Sequence, residues 1–253
     1  MTDVPVRDAA TVVLLRDGVA GVEVWLLTRK TQMVFAAGMA VFPGGRVDDS
    51  DAGLPFAAEV EPTVAARFDT SPEHARALIG AAVRETFEET GVLLTVPSAD
   101  LSSARTDLEA GRLAFGELLR ANGLAIDGAA VHPWSRWVTP AGEVRRYDTR
   151  FFIAALPEGI DAEDVTSESS SAAWFAIGEA LEQSQRGELG MLPPTIMTLA
   201  SLVGFRTVAE AVAESTGRSL DPISPRILRT PDGRYLAELP DGTTFRLPRS
   251  LMS

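Results

Sequence analysis

Two apolar runs predict strands near the start of the chain. Ala10 to Arg16 and Val22 to Arg29 are apolar runs rich in β-branched residues, and Asp17-Gly18 lies between them. An Asp-Gly pair between two such runs is typical of a hairpin turn. We therefore expect a hairpin or short meander, and then a loop between Leu26-Leu27-Thr28-Arg29-Lys30 and the segment from Gly38 to Gly45.

A long helix is predicted from Glu73 to Thr90, a segment without internal proline. Ser71 stands where an N-cap is needed, and Pro72 occupies the first helical position, where proline is favoured. Gly91 is typical of the residue that ends a helix. The apolar run from Val92 to Val96 then predicts a buried strand, which would place the end of the helix beside a sheet.

The rest of the chain alternates between predicted helices and strands. Apolar residues at helical spacing predict one or two structural helices within a connection of about 98–127. Strands are predicted over 134–140, over 145–153 and up to Trp174-Phe175, and helices over 177–186, 193–204 and 208–215. Trp134 and Trp137 are expected in the core. The tail has Pro-Asp-Gly turns at 231–233 and 240–242, which predict hairpins.

Composition excludes several classes of protein. The 253 residues have 45% hydrophobic content, typical of a globular chain, and no apolar run is as long as a membrane span. A net charge of -12 argues against nucleic acid as a partner. The absence of cysteine excludes disulfides and thiol catalysis and fits a cytoplasmic location. Only two histidines are present, which disfavours a zinc site or a Ser-His-Asp triad.

The end of the predicted helix carries the candidate chemistry. Glu85, Glu88 and Glu89 are three or four residues apart or adjacent, so they share one helix face. Carboxylates this close raise one another's pKa unless a cation lies among them, and oxygen ligands suit Mg²⁺ or Mn²⁺. Arg84 is placed to orient one of them. The alternative is a solvated acidic face, but the adjoining Gly91 and buried run favour a site at a junction.

The segment Arg84-Glu85-Thr86-Phe87-Glu88-Glu89-Thr90-Gly91-Val92 resembles the second half of the Nudix box, G-x5-E-x7-R-E-U-x-E-E-x-G-U, in which U is aliphatic. Phe42-Pro43-Gly44-Gly45 resembles its start, and Asp51 stands where the family has Glu. Between Asp51 and Arg84 lie 32 residues instead of seven, so about 25 are inserted. Thr86 departs from the aliphatic position.

The resemblance implies an α/β/α sandwich with a mixed β-sheet and assigns roles to the matching residues. Glu85, Glu88, Glu89 and the Gly44 carbonyl would bind Mg²⁺ or Mn²⁺, supported by Gly45, Asp51 and Gly91. Many members place another glutamate shortly before a tryptophan, as metal ligand or base, and Glu168 matches it ahead of Trp174. Arg84, Glu85 and Glu168 are therefore the candidate catalytic residues, with Glu85 and Glu168 both open as the base.

Two further segments resemble coenzyme A diphosphatases of the Nudix family. One is Leu26-Leu27-Thr28-Arg29-Lys30 with the glycines that follow it, and the other combines W-x-T-P at 137–140 with R-R-x-D-T-R-F-F at 145–152. This second match resembles the larger members with a split box. The resemblance implies that Arg29, Arg145, Arg146 and Arg150 contact a nucleotide-type small-molecule substrate.

The organisation expected from these segments is one Nudix domain over 1–217 and an extension over 218–253 that packs on the domain or on a second subunit. The insertion at 52–70 is expected to hold a short helix around 56–68, as a packing appendage in preference to a lid. The resemblance also implies that a homodimer is possible. The predicted activity is hydrolysis of a diphosphate linkage in coenzyme A or acyl-coenzyme A. The alternatives are ADP-ribose, NADH or a dinucleoside polyphosphate as substrate, or a catalytically silent nucleotide-sensing module.

Overall fold

Two long strands form the centre of the main sheet in the computed structural model, which describes residues 4–30, 37–59, 62–163, 169–232 and 234–246. β1 (Val6–Gly18) and β2 (Gly21–Arg29) pair antiparallel, with Leu15 opposite Val24, so the predicted hairpin is confirmed. Leu26 and Leu27 are buried on opposite faces of β2, and the strand continues to Arg29, as the apolar run from Val22 to Arg29 predicts.

Within the described residues, eight strands make up this mixed sheet. Besides β1 and β2 they are β3 (Ala40–Val41), β4 (Gly44–Arg46), β7 (His132–Val138), β8 (Arg146–Ala155), β9 (Ser169–Ala176) and β10 (Pro222–Ile223). Their order is β10-β7-β8-β1-β2-β3, with β4 beside β1 and β9 beside β2. β8 runs parallel to β1, whereas β4 pairs antiparallel with the first half of β1. The strands predicted over 134–140 and 145–153 are thereby confirmed.

Helices cover both faces of the sheet. They are α1 (Pro62–Arg67), α2 (Pro72–Thr90), α3 (Arg105–Glu109), α4 (Phe115–Ala121), α5 (Ile177–Gln185), α6 (Pro193–Leu202) and α7 (Val208–Ser215). Alternate residues of each strand point to opposite faces, so Val12 and Phe152 pack toward α2, whereas Val13 and Phe151 pack toward α5, α6 and α7. The expected α/β/α sandwich is confirmed, and so are the helices predicted after residue 98.

The ends of α2 are set by its caps. The Ser71 hydroxyl accepts a hydrogen bond from the His74 backbone N–H at 3.1 Å, and Pro72 opens the helix. Gly91 adopts a left-handed conformation with φ of 76° and donates its N–H to the Phe87 carbonyl at 2.9 Å. A glycine reaches this conformation without steric cost. Both predicted ends of the helix are confirmed.

The buried run after α2 does not join the main sheet. Val92, Leu93 and Leu94 are buried as expected. Only β5 (Thr95–Val96) is a strand, and it pairs with β6 (Ala125–Ile126) in a separate two-stranded sheet. Pro97 follows directly, and proline has no N–H to continue the pairing. The prediction of a full strand is therefore corrected, and the strands that contact the carboxylate-bearing helix are β1 and β4.

The described part of the insertion packs into the core. Leu54, Ala65 and Phe68 are buried on the α2 side of the sheet, where the Phe68 ring lies 5.5 Å from that of Phe152. Its helix α1 is shorter than the predicted 56–68. Gly80 of α2 allows this close packing, because a Cβ at that position would lie 2.5 Å from the Asp51 carbonyl oxygen.

The tail adds an edge strand and a small sheet. β10 pairs with β7, with Pro222 opposite Arg136. β11 (Arg226–Arg229), β12 (Tyr235–Glu238) and β13 (Thr244–Arg246) then form a three-stranded antiparallel sheet. Leu239 is buried in the core cluster that contains Trp134 and Trp137, and Phe245 packs against the same cluster. Within the described ranges, no helix combines the length and apolarity needed to cross a membrane.

Candidate active site

A cleft of about 870 Å³ contains the carboxylates of the predicted site. Glu85, Glu88 and Glu89 line it from the last turns of α2, and Gly44 and Gly45 line it from β4. The structure therefore brings the two separated halves of the box together at one place. The roughly 25 additional residues between them do not disturb this meeting, because their described part packs against α2 at Gly80, more than one helical turn before Glu85.

Arg84 is the centre of a charge network beneath these carboxylates. Its Nη1 donates to Glu85 Oε1 at 2.7 Å and lies 3.5 Å from Glu88 Oε2. Its Nε and Nη2 donate to the two oxygens of Asp51 at 2.9 and 3.0 Å, and Nη2 also donates to the Arg46 carbonyl at 3.0 Å. Asp51 has no solvent exposure. Asp51 thus orients Arg84, and Arg84 orients Glu85.

Each of the two glycines of β4 has a different neighbour that leaves no room for a side chain. A Cβ on Gly45 would lie 2.4 to 2.6 Å from the carboxylate of Glu85. A Cβ on Gly44 would lie 2.5 Å from the Ala10 carbonyl oxygen and 2.7 Å from the Thr11 Cα. The Gly44 N–H donates to Glu89 Oε2 at 3.0 Å, so this glycine also holds one carboxylate. β4 therefore approaches both β1 and the acidic face of α2 more closely than a side chain would permit.

Thr86 occupies an aliphatic position of the box without leaving a polar atom unsatisfied. It is fully buried, and its hydroxyl donates to the Ala82 carbonyl one turn earlier at 2.7 Å. The substitution is accommodated within the helix.

Burial makes the charged forms of two carboxylates unfavourable. It raises the pKa of Glu88 to about 7; Arg84 opposes this shift, while Glu85 and Asp51 add to it. Burial also raises the pKa of Glu85, although the charge and hydrogen bond of Arg84 lower it. Burial opposes the charge of Arg84 too, but the hydrogen bond with Asp51 and the surrounding carboxylates raise its pKa overall. Arg84 therefore neutralises Glu85 and Glu88 only in part.

The donor set fits a hard divalent cation. Three carboxylates line one cleft, and Arg84 compensates two of them, Glu85 and Glu88, only in part. Oxygen donors suit Mg²⁺ or Mn²⁺. In the part of the chain that the structure describes, no three acidic or histidine side chains already converge as a metal cluster. Glu85 and Glu89 are turned instead toward Arg84 and the Gly44 N–H. Ligation would require these side chains to rotate toward the cleft.

Of the four arginines predicted to contact substrate, two line the cleft and two do not. Arg29 and Arg145 line the cleft together with Tyr147, Thr149 and Phe151. Arg146 does not line it, and its Nε donates to the Thr139 carbonyl at 3.3 Å.

Arg150 is buried on the opposite face of β8. It lies 2.7 Å from Asp8 Oδ1 and 3.0 Å from Asp148 Oδ2. The expectation that it contacts substrate is therefore corrected: Arg150 links two neighbouring strands, because even-numbered residues of β8 point away from the cleft.

Several cleft residues carry no motif in the sequence. Arg46 follows the two glycines, Glu109 comes from α3, and Ile227 and Ala237 come from the tail. Arg46 could have been found from its place beside Gly45. Glu109 and the tail residues depend on long-range packing, which leaves no local signal. Glu168, the remaining candidate catalytic residue, lies outside the described residues.

Arg105 was also missed, although it contacts the helix that carries the site. It is buried, and its Nε and Nη2 donate to the Glu88 carbonyl at 3.2 and 2.8 Å. This carbonyl is one of those that a helix end leaves without an intrahelical partner. Arg105 therefore caps α2 from the helical connection.

Comparison with known proteins identifies relatives of this chain. The family model described as the NUDT19 Nudix domain matches residues 66–202. The acyl-coenzyme A diphosphatase NUDT19 of Homo sapiens is 29% identical, over 84% of this chain and 70% of that protein. Its namesake from Xenopus laevis is 26% identical, over 79% of this chain and 64% of that protein. This chain thus spans less than two thirds of the length of the Xenopus relative.

A solved structure shows the same likeness. The crystal structure of a Nudix hydrolase from Alicyclobacillus acidocaldarius is 31% identical to this chain, with a TM-score of 0.69. The superposition covers 83% of this chain and 96% of that one.

Proposed function

Because this chain belongs to the family of NUDT19 Nudix domains, we propose that it is a metal-dependent hydrolase of a diphosphate linkage in coenzyme A or acyl-coenzyme A. The observation that carries the proposal is one cleft that combines three glutamates of α2 with Arg29, Arg46 and Arg145. A diphosphate needs positive charge at its oxygens, and these arginines supply it in a protein of net charge -12. The names of the vertebrate relatives support the substrate class.

Each group of residues has a defined task in this proposal. Glu85, Glu88, Glu89 and the Gly44 carbonyl would hold Mg²⁺ or Mn²⁺. When bound, the ion supplies positive charge that offsets the diphosphate and increases the acidity of a water molecule. Arg84 keeps Glu85 oriented, as its 2.7 Å hydrogen bond indicates. Glu85 or Glu168 accepts the proton of the attacking water, and such general-base catalysis contributes about 10²- to 10⁴-fold.

The test is hydrolysis of coenzyme A, octanoyl-coenzyme A, ADP-ribose and NADH with Mg²⁺, Mn²⁺ or EDTA. We expect cleavage of the coenzyme A compounds to 3',5'-ADP and the phosphopantetheine product, only with metal. Glu88→Gln should lower kcat/KM at least about 10²-fold, since it removes an anionic ligand of the metal whose charge stabilises the transition state by several kcal/mol. Glu73→Gln is the matched control, because Glu73 is exposed at the opposite end of the same helix.

Other results would contradict the proposed substrate or the proposed activity. Cleavage of ADP-ribose or NADH in place of the coenzyme A compounds would retain the mechanism and overturn the substrate. Nucleotide binding without metal-dependent turnover of any of these compounds would identify a nucleotide-sensing module.

A further inference from the structure

The cleft has an apolar side at a distance from its carboxylates. Its lining there includes Trp137 and Val138 of β7, Pro140 of the loop that follows β7, and Leu192 at the start of α6. β7 is separated from β4 by β8 and β1, which is three strand spacings or about 14 Å across the sheet. A ligand that reaches both sides must therefore be elongated, with an anionic part at β4 and an apolar part near β7.

The C-terminal sheet closes this apolar side. Ile227 of β11 and Ala237 of β12 are directly opposite each other and both line the cleft. Leu228, the next residue, points to the other face of the small sheet and is 37% exposed. The sheet is held against the domain by Leu239 and Phe245, and β10 extends the main sheet beside β7. The tail therefore supplies a supported wall of the cleft, and Ile227 is its larger side chain.

We propose that the C-terminal sheet is a specificity element: Ile227, backed by Ala237, contacts an alkyl or acyl chain carried by the diphosphate substrate. This inference rests on the proposed function and extends it to the tail. Three features support an apolar occupant. The wall, the lining side chains of β7 and Leu192 are apolar, and the cleft is continuous with the carboxylates. Its volume of about 870 Å³ exceeds what a diphosphate alone would fill.

Equilibrium binding to the full chain in EDTA tests the proposal without relying on turnover. The ligands are coenzyme A and octanoyl-coenzyme A, measured by calorimetry. We expect the wild-type protein to bind the octanoyl compound about tenfold or more tightly than coenzyme A, because even one methylene enclosed in an apolar pocket can contribute about tenfold. Ile227→Ser should remove most of this preference and leave the affinity for coenzyme A nearly unchanged.

Leu228→Ser is the matched control, since it makes the same chemical change one residue away on the other face of β11. It should retain the preference of the wild-type protein for the octanoyl ligand. Equal affinities of wild-type protein for the two ligands, or an equal loss of preference in both variants, would overturn the role of Ile227. A second result would also overturn it: the wild-type protein sediments as a dimer that dissociates in Ile227→Ser, and the acyl chain has no effect on binding. Ile227 would then contact a second subunit and not the ligand.

Turnover separates this inference from the proposed function. If metal-dependent hydrolysis occurs but Ile227→Ser changes kcat/KM by the same factor for both compounds, only the role of the tail is wrong. If no hydrolysis occurs while the octanoyl preference depends on Ile227, the tail binds an apolar chain and the proposed reaction is wrong.

Discussion

Asp51 accepts two hydrogen bonds from Arg84, one from Nε at 2.9 Å and one from Nη2 at 3.0 Å. The carboxylate of Asp51 is completely buried, and the same guanidinium donates to Glu85 on its other side. A residue at the start of the insertion therefore controls a carboxylate on α2 through one arginine. The shorter aspartate is sufficient because the chain around it packs directly on the helix at Gly80.

Asp51→Ala should therefore destabilise the protein by about 3 to 5 kcal/mol, the usual effect of leaving one member of a buried ion pair without its partner. Unfolding in urea, followed by circular dichroism, measures this change. Asp49→Ala is the control, because Asp49 is exposed two residues earlier, and its effect should stay within about 0.5 kcal/mol. If the two variants were equally stable, the ion pair would have no structural role.

Gly45→Ala should reduce activity much more than stability. The added Cβ would collide with the carboxylate of Glu85, which is the end of a flexible side chain and can move aside. We expect kcat/KM to fall by about 10²-fold or more, as for loss of a positioned catalytic group, while the melting temperature changes little. Gly53→Ala is the matched control, since a Cβ there meets nothing within 4 Å.

Gly44→Ala should show the opposite balance. Its Cβ would collide with the backbone of Ala10 and Thr11, which cannot move without separating β4 from β1. The expected result is a loss of stability of about 1 to 3 kcal/mol, typical of overpacking. Thermal unfolding of Gly44→Ala and Gly45→Ala, measured in parallel, compares the two losses of stability. A larger loss of stability in Gly45→Ala than in Gly44→Ala would contradict both assignments.

How far the sequence predicts the site depends on whether the signal is local. Ser71 and Gly91 define α2 correctly, because caps act within one helical turn. Arg145, in the loop before β8, and Arg150, on β8, show where a local signal is not enough to predict the site. Their positions place them on opposite faces, and odd-numbered residues from 145 to 151 line the cleft. The segment alone does not indicate which of the two faces lines the cleft, because this depends on α6 and the tail, which come later in the chain.

His132 should make the folded protein less stable in mild acid. Burial lowers the pKa of this histidine at the start of β7, and Asp127 opposes the shift only in part. The unfolded state, with a pKa of about 6.5, therefore takes up the proton before the folded state does. The free energy of unfolding should be unaffected by this group above that pH and should fall as the pH decreases below it.

His132→Gln tests this assignment by removing the proton-binding group. The difference in unfolding free energy between wild-type protein and variant should change between pH 7.5 and pH 5, with a slope of at most about 1.4 kcal/mol per pH unit for one proton. Urea titrations at several pH values measure it. A difference that is independent of pH would show that His132 has the same pKa in both states.

Arg105→Met should loosen the end of the helix that carries Glu88 and Glu89. The substitution keeps an apolar stem of similar length but removes both hydrogen bonds to the Glu88 carbonyl. Loss of a charged partner from a buried acceptor costs about 1 to 3 kcal/mol. Amide hydrogen exchange should accelerate at residues 87–91, and activity should require a higher Mn²⁺ concentration, because the ligating side chains are less well positioned. Arg112→Met is the control: Arg112 follows α3, and its ion pair with Asp107 is exposed. Equal Mn²⁺ dependence in both variants would limit Arg105 to a role in stability.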